Sequence, residues 1–510
     1  MASESKGFFQ KFLDMIEKVG NKLPHPITLF AILAGLVVIA SALIANLGLS
    51  VEHPGEQDEM VQVFNLLSSD GINYIFTSMV DNFIEFAPLG VVLATMIGIG
   101  LAERSGLISA ALRGFVLSVP KQLITAGLVF AGIMSSVASD AGYVVLPPLG
   151  AVIFAALGRH PLAGLAAAFA GVSAGFSANL FLSATDPMLG ELTIEAAATI
   201  DPAYAETMNI AMNYYFIAAS VFVLTLAGSW VTERIVEPRL GEYKGEYKED
   251  LQGLGHDEKR GLGWAVTSFF VTAVALAMLV AFPNSPMRGE EGAVIQSPFM
   301  DSLVPVIMIL FFVPGLVYGI AVKNIKNDKD VANQMSDTMA SMGMFIVLAF
   351  TAGQFVAYFG ESGIGMLLGV YGAEFLDSIN LTGIPLILAF VIVAGFINLF
   401  IGSASAKWAM MAPVFVPIMM QLGYSPEMTQ MAYRIADSTT NIITPLMTYF
   451  AIIIAFAQKY DKKMGIGTMI SVMLPYSIVF TIIWTIMLIV WMLFGIDLGP
   501  GSPIEYNYQG

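Results

Sequence analysis

The chain has 510 residues, of which 56% are hydrophobic and only 12% charged, with a mean hydropathy of +0.75 and a formal net charge of −16. Many apolar runs reach the roughly 20 residues that a spanning helix needs, and none shows the alternation over about 10 residues of a membrane β-barrel strand, so the class is an all-α polytopic membrane protein. No cysteine is present, which excludes disulfide and thiolate chemistry, and no nucleic-acid partner is expected.

Residues 1–25 contain the amphipathic run KGFFQKFLDMIEKVGNKL, read as lying along the inner surface. Residues 26–71 hold a first span, Pro26 to about Leu47, and an outer loop. This run exceeds a signal-peptide core and follows a long polar lead, so it is expected to stay as an anchor. Residues 72–231 form a first repeat, with spans near 72–102, 162–182 and 206–231 and a half-crossing hairpin at 121–157 whose middle carries Ser135, Ser136, Ser139, Asp140 and Gly142. A Gly-rich inner linker of mixed charge, 232–262, leads to two intervening spans, near 264–282 and 302–322, within 263–335. Residues 336–496 form a second repeat, with spans near 338–358, 427–457 and 468–495 and a hairpin at 384–422 carrying Gly402, Ser403, Ser405 and Lys407. Residues 497–510 are an outer tail.

The two hairpins align at an offset of 265 residues. Asp140-Ala-Gly-Tyr143 falls on Ser405-Ala-Lys-Trp408, Pro148 on Pro413, Leu157-Gly158 on Leu422-Gly423, and Pro161 on Pro426. Upstream, Glu103-Arg-Ser105-Gly106 echoes Glu361-Ser362-Gly363. A duplicated unit is the reading.

Lys and Arg fix the orientation. Nine spans with a cytoplasmic N-terminus and an outer C-terminus place 20 of the 23 cations inside; Arg288 lies outside, and Lys407 and Arg434 fall within the membrane. The first hairpin, flanked by Lys121 and Arg159, then enters from the cytoplasm. The second, between Asp377 and Glu427, enters from outside, so the repeat is inverted. Outer loops carry most of the acidic excess, which is read as a solvated face, with a cation-concentrating vestibule as the alternative.

Ionisable groups inside apolar spans are costly unless paired or wetted. The span beginning near Glu427 contains Arg434 and Asp437, three residues apart and open to a mutual ion pair, within the run Asp437-Ser438-Thr-Thr-Asn441 before Pro445. Repeat one has the counterpart Ser173-Ala-Gly175-Phe-Ser177-Ala-Asn179, ending at Asp186-Pro187. Ser-rich tips and polar, helix-weakening segments supply the oxygen ligands that hard cations take. The candidate ion-binding residues are therefore Ser135, Ser139, Asp140, Asn179, Ser403, Ser438 and Asn441, with Na⁺ or a proton as the coupling ion and no other cofactor. All four histidines, His25, His53, His160 and His256, lie at span ends or in loops, which argues against a histidine relay. Trp408 is either a stacking platform for a planar ring or a packing residue. Lys407 either meets a carboxylate or snorkels.

These segments, SSVASDAGYVVLPPLGAV from Ser135, GSASAKWAMMAPVFVP from Gly402 and RIADSTTNIITP from Arg434, resemble the p-aminobenzoyl-glutamate transporter (AbgT) family over nearly the whole chain. The resemblance implies a homodimer in the bacterial inner membrane, a fold shared with the ion-transporter superfamily, and a core carrying the hairpins that moves against a dimerising scaffold. It implies ion-driven transport of p-aminobenzoyl-glutamate or p-aminobenzoate, small aromatic carboxylates, with export of sulfonamides by some members. It places substrate-binding roles on Asp186, Asn398, Ser405, Trp408, Arg434, Asp437 and Pro445. The alternatives are a carrier of another small carboxylate, a passive channel, and an intramembrane hydrolase using Ser405 and Lys407. The last is opposed by their i,i+2 spacing and by the lack of Gly-x-Ser-x-Gly.

Overall fold

The computed structural model describes residues 24–52, 60–138, 141–243, 253–444, 447 and 449–507. Ser139, Asp140 and Pro445, expected at the site, and the amphipathic run within residues 1–23 lie outside them.

Among the described residues, seven helical segments are long and apolar enough to cross a bilayer alone: Pro26–Leu47, Ser69–Arg104, Tyr214–Leu240, His256–Ala281, Leu303–Ala321, Gly343–Glu361 and Ile466–Phe494. Spans expected at 162–182 and 427–457 are absent from this set because each is interrupted midway. After α1 (Pro26–Leu47) comes a short antiparallel pair, β1 (Ser50–Glu52) and β2 (Met60–Gln62). The second segment comprises α2 (Ser69–Ile84) and α3 (Ala87–Arg104), broken at Glu85–Phe86 before Pro88.

α4 (Leu107–Ser118) follows, then bends by 114° into the first hairpin. The hairpin arms are α5 (Ile124–Met134) and α6 (Ala141–Ala156), with a 3₁₀ turn at Ser135–Ala138. Next, α7 (Pro161–Phe169) runs into a π-helical turn, Ala170–Ala174, and the chain is irregular until α8 (Thr185–Ala198). The first half ends with α9 (Pro202–Thr207), α10 (Tyr214–Val231), a π turn at Thr232–Val236 and α11 (Glu237–Leu240).

The intervening helices are α12 (His256–Ala281), α13 (Pro298–Asp301), α14 (Leu303–Ala321) and α15 (Asp328–Ser341). Then the earlier order recurs. α16 (Gly343–Glu361) and α17 (Ile364–Ser378) precede hairpin arms α18 (Gly383–Asn398) and α19 (Ala404–Gln421). The polar helix α20 (Pro426–Asn441) ends at a second break, and α21 (Phe450–Gln458) and α22 (Ile466–Phe494) close the half.

The echo between Glu103-Arg-Ser-Gly106 and Glu361-Ser-Gly363 has a backbone cause. Gly106 (φ +88°) and Gly363 (φ +72°) both take the left-handed conformation that turns one helix into the next, α3 into α4 and α16 into α17. Helices α4 and α17, each ahead of a hairpin, were not among the expected elements; at 12 and 15 residues they are too short to register as spans.

Packing separates two layers. One gathers α1, α2 and α16, and α3 with α14, α15 and α12. The other holds both hairpins, both broken helices, α10 and α22, and meets the first chiefly where α3 packs on α8 and α16 on α19. Apolar side chains of α12, including Phe270, Val271 and Val274, are exposed, as lipid-facing residues should be. The reverse holds for α20. Its sequence, PEMTQMAYRIADSTTN, is largely polar, yet every residue except Thr440 is buried, because neighbouring elements rather than lipid surround it.

The C-terminal residues run back across one end of the second layer. Ser425 N–H donates to the Ile504 carbonyl (2.9 Å), Tyr506 N–H to that of Gly423 (2.9 Å) and Phe216 N–H to that of Leu498 (3.0 Å), while Tyr506 OH donates to Asp201 Oδ2 (2.8 Å). The tail thus ties the start of α20 to the loops around α9 and α10.

Candidate transport site

The site forms where the two breaks, the second hairpin tip and the start of α6 in the first hairpin converge. Ser403 caps α19 by accepting the Ala406 N–H (3.3 Å), and Ser425 caps α20 the same way from Met428 (3.1 Å), with Pro426 at a position whose missing N–H costs nothing. In the first turn of α8, Asp186 Oδ2 accepts the Ser183 N–H (2.6 Å) and hydroxyl (3.0 Å), so a carboxylate sits at a positive helix end.

Two buried ion pairs lie side by side along α20. Arg434 donates to Asp186 Oδ1 at 2.7 Å across 248 residues of sequence. Lys407, fully buried, pairs with Asp437 and also donates to Asn398 Oδ1. The expected Arg434–Asp437 pairing is therefore replaced: each finds its partner on another helix. Two cations and two carboxylates cancel, which makes their burial tolerable.

Asn398, the last residue of α18, joins these parts. Its Nδ2, with two hydrogens to give, lies within hydrogen-bond distance of three acceptors: the Asp437 carbonyl (2.7 Å), Thr440 Oγ1 (2.6 Å) and Asn441 Oδ1 (3.0 Å). Trp408 is the packing alternative made concrete. It is wholly buried, stacks on Tyr433 at 4.5 Å and donates from Nε1 to Thr193 Oγ1 (2.9 Å), leaving no free face for a substrate ring in this conformation. Ser405 lies at the start of α19, 3.2 Å from the Ser403 hydroxyl.

The described ion-ligand candidates are dispersed. Ser135 Oγ donates to the Gly132 carbonyl within its own helix (2.6 Å). Asn179 donates to Ser136 Oγ (2.9 Å), and Ser438 Oγ accepts the Ser177 N–H (3.1 Å). The latter bond and Asp186–Arg434 stitch the first break to α20. Of these candidates, Asn441 alone lines the cavity beside them.

That cavity, of about 290 Å³, is bounded by Tyr143, Phe176, Thr185, Gly402, Ala404 and Asn441, and closed by Met447 and Tyr449 of the second break and by Val92, Met96 and Phe345 of the first layer. Tyr143 and Tyr449 stack at 4.6 Å, bridging the first hairpin to the second break. The starts of α6, α8 and α19 all border it, so three helix N-termini offer a positive field to an anion between aromatic and thioether walls. The aromatic wall was missed from sequence; its single signal was that Tyr143 and Tyr449 flank polar interruptions.

The sequence profile of the AbgT putative transporter family matches residues 11–506. The chain is 38% identical over 492 residues to the p-aminobenzoyl-glutamate transport protein of Escherichia coli (strain K12), covering 96% of each. Among solved structures it resembles the Alcanivorax borkumensis YdaH transporter (TM-score 0.89, 42% identity, 94% of this chain and 100% of that one). It also resembles Neisseria gonorrhoeae MtrF, described as illuminating a class of antimetabolite efflux pumps (TM-score 0.91, 47% identity, 96% and 100%).

Proposed function

The chain belongs to the AbgT transporter family, and from that premise we propose that it is an ion-coupled secondary transporter of p-aminobenzoyl-glutamate, p-aminobenzoate and sulfonamide-like antimetabolites. The observation that carries this reading is the cavity itself: three helix N-termini suit a carboxylate, and the Tyr143, Phe176, Phe345 and Tyr449 walls suit an aromatic ring. Because it lies between α3 and α16 on one side and both hairpins on the other, rocking one layer against the other opens it to alternate faces. The inverted repeat, whose halves share the element order above, supplies the two conformations to exchange. The homodimer, the inner-membrane location, the cytoplasmic N-terminus and coupling to Na⁺ or H⁺ belong to the same proposal, as do the substrate roles of Asp186, Asn398, Ser405, Arg434, Asp437 and Pro445, with Trp408 acting from within the protein, stacked on Tyr433. In it, the two ion pairs hold the cavity wall, and Asn441 touches the substrate.

Flux of radiolabelled p-aminobenzoyl-glutamate into proteoliposomes, with Na⁺ and pH gradients imposed separately, tests the function. Accumulation against its gradient supports a carrier; equilibration alone would mean a channel. Orientation is tested by single cysteines in this cysteine-free chain. One at Glu290 should react with an impermeant maleimide in intact cells, and ones at Lys326 and Lys462 only after lysis. Reaction at Lys326 in intact cells would overturn the inverted arrangement.

A further inference from the structure

Two carboxylates on α8, Glu191 and Glu195, take no part in the interactions above. The helix has two faces. Asp186, Leu189, Gly190, Thr193, Ala196 and Ala197 are buried. Ala184, Met188, Glu191 and Glu195 instead form a partly buried stripe at spacings of four, three and four residues. Ala184 and Met188 line the cavity, so the stripe continues its wall for about 10 Å beyond Met188 at the helical rise.

Neither carboxylate has an ion-pair partner among the described residues. The helices packed against α8 are α3, α9, α19 and α20, and their cations are engaged elsewhere. Arg104 donates to the Asp337 carbonyl, Lys407 pairs with Asp437 and Arg434 with Asp186. The other titratable groups on these helices are Glu103, at the far end of α3; Glu206; Tyr204 and Glu427, bonded to each other; Tyr433, whose OH donates to the Ala404 carbonyl; and Asp437. A second observation points to a ligand. Glu195 Oε2 is shut off from solvent and has no hydrogen-bond donor among the described residues. Two carboxylates one turn apart, one of them enclosed, need a proton or a cation to be stable there.

We propose that Glu191 and Glu195 together bind the monovalent cation, a proton or Na⁺, that drives substrate movement; this rests on the ion-coupled reading above. The cavity end of the stripe lies at the layer boundary, where α8 packs on α3 and Met188 lines the cavity together with the apolar Val92 and Met96 of α3. Sliding a pair of charge −2 along that surface is unfavourable, and one bound cation lowers the charge to −1. Loading therefore permits the layer movement that carries the substrate, and an empty pair opposes it.

The test uses proteoliposomes containing the full chain with Glu191→Gln and Glu195→Gln, singly and together, since Gln keeps the shape and removes the charge. Two readouts are compared: exchange of labelled for unlabelled p-aminobenzoyl-glutamate without an ion gradient, and accumulation under a pH gradient or a Na⁺ gradient alone. In the double variant exchange should persist while driven accumulation falls at least tenfold, and the gradient that drives the unmodified protein identifies the cation. Accumulation equal to that of the unmodified protein under both gradients would overturn the proposal. Proportional loss of exchange and accumulation in all three variants would also overturn it, by assigning the pair a structural role. Failure of the unmodified protein to exchange would refute the transport reading instead, a distinct result.

Discussion

Lys407→Ala is expected to abolish transport and to lower the stability of the protein sharply, because Asp437, 2% exposed, loses its cation partner at the centre of the second layer. Removing one member of a buried pair costs about 3–5 kcal/mol, whereas replacing both by apolar residues of similar volume is often neutral. The double replacement Lys407→Met with Asp437→Leu should therefore recover most of the thermal stability lost in Lys407→Ala. Transport should not return with it. Asn398 Oδ1 accepts from Lys407, and Asn398 Nδ2 holds Asn441 at the cavity, so without the lysine the amide that sets the wall is free to turn. Thermal unfolding in detergent and flux in proteoliposomes, measured on the same preparations, check both parts. A double variant that folds and transports normally would show the pair to be a brace alone.

Asp186→Asn is expected to reduce transport at least a hundredfold. It leaves the Arg434 guanidinium buried beside a neutral amide, and the lost charge compensation lies in the same range of about 3–5 kcal/mol. Reversing the pair, Asp186→Arg with Arg434→Asp, should not rescue it. Asp186 Oδ2 also accepts the Ser183 N–H and hydroxyl in the first turn of α8, and an arginine has no acceptor to offer and is repelled by the positive helix end. A reversed pair that recovered both expression and flux would contradict this, since only a simple brace is indifferent to polarity.

The contrast between these two pairs shows what can be read from the chain alone. Hydropathy located the seven segments long enough to cross alone, because each is a long apolar run with few charges. The polar runs at Ser173–Asn179 and Asp437–Asn441 marked the breaks, since polar groups at membrane depth need protein around them. Pairing was another matter. Arg434 and Asp437 sit one turn apart and invite a local bond, yet Arg434 reaches Asp186, 248 residues away, and Asp437 takes Lys407. A choice between a near and a distant carboxylate is decided by tertiary packing, which periodicity does not encode. Trp408 illustrates the same limit: its ring suits a ligand equally well, and only the placement of Tyr433 and Thr193 shows that it is stacked and hydrogen-bonded within the protein. The cavity wall was the least legible part, because Tyr143, Phe176, Phe345 and Tyr449 come from four separate segments and resemble any other apolar residues of a membrane chain.

The central claim is that substrate occupies the space between the second hairpin tip and the two helix breaks, and the chain's lack of cysteine allows it to be tested directly. A single cysteine at Ala404, at the start of α19 on the cavity wall, is titrated with a small maleimide in proteoliposomes with and without saturating p-aminobenzoyl-glutamate. A cysteine at the exposed Glu290 serves as the control. Labelling at Ala404→Cys should block transport, and substrate should slow it at least tenfold while leaving the control unchanged. Equal labelling rates with and without substrate, in protein shown to transport it before labelling, would place the binding site elsewhere.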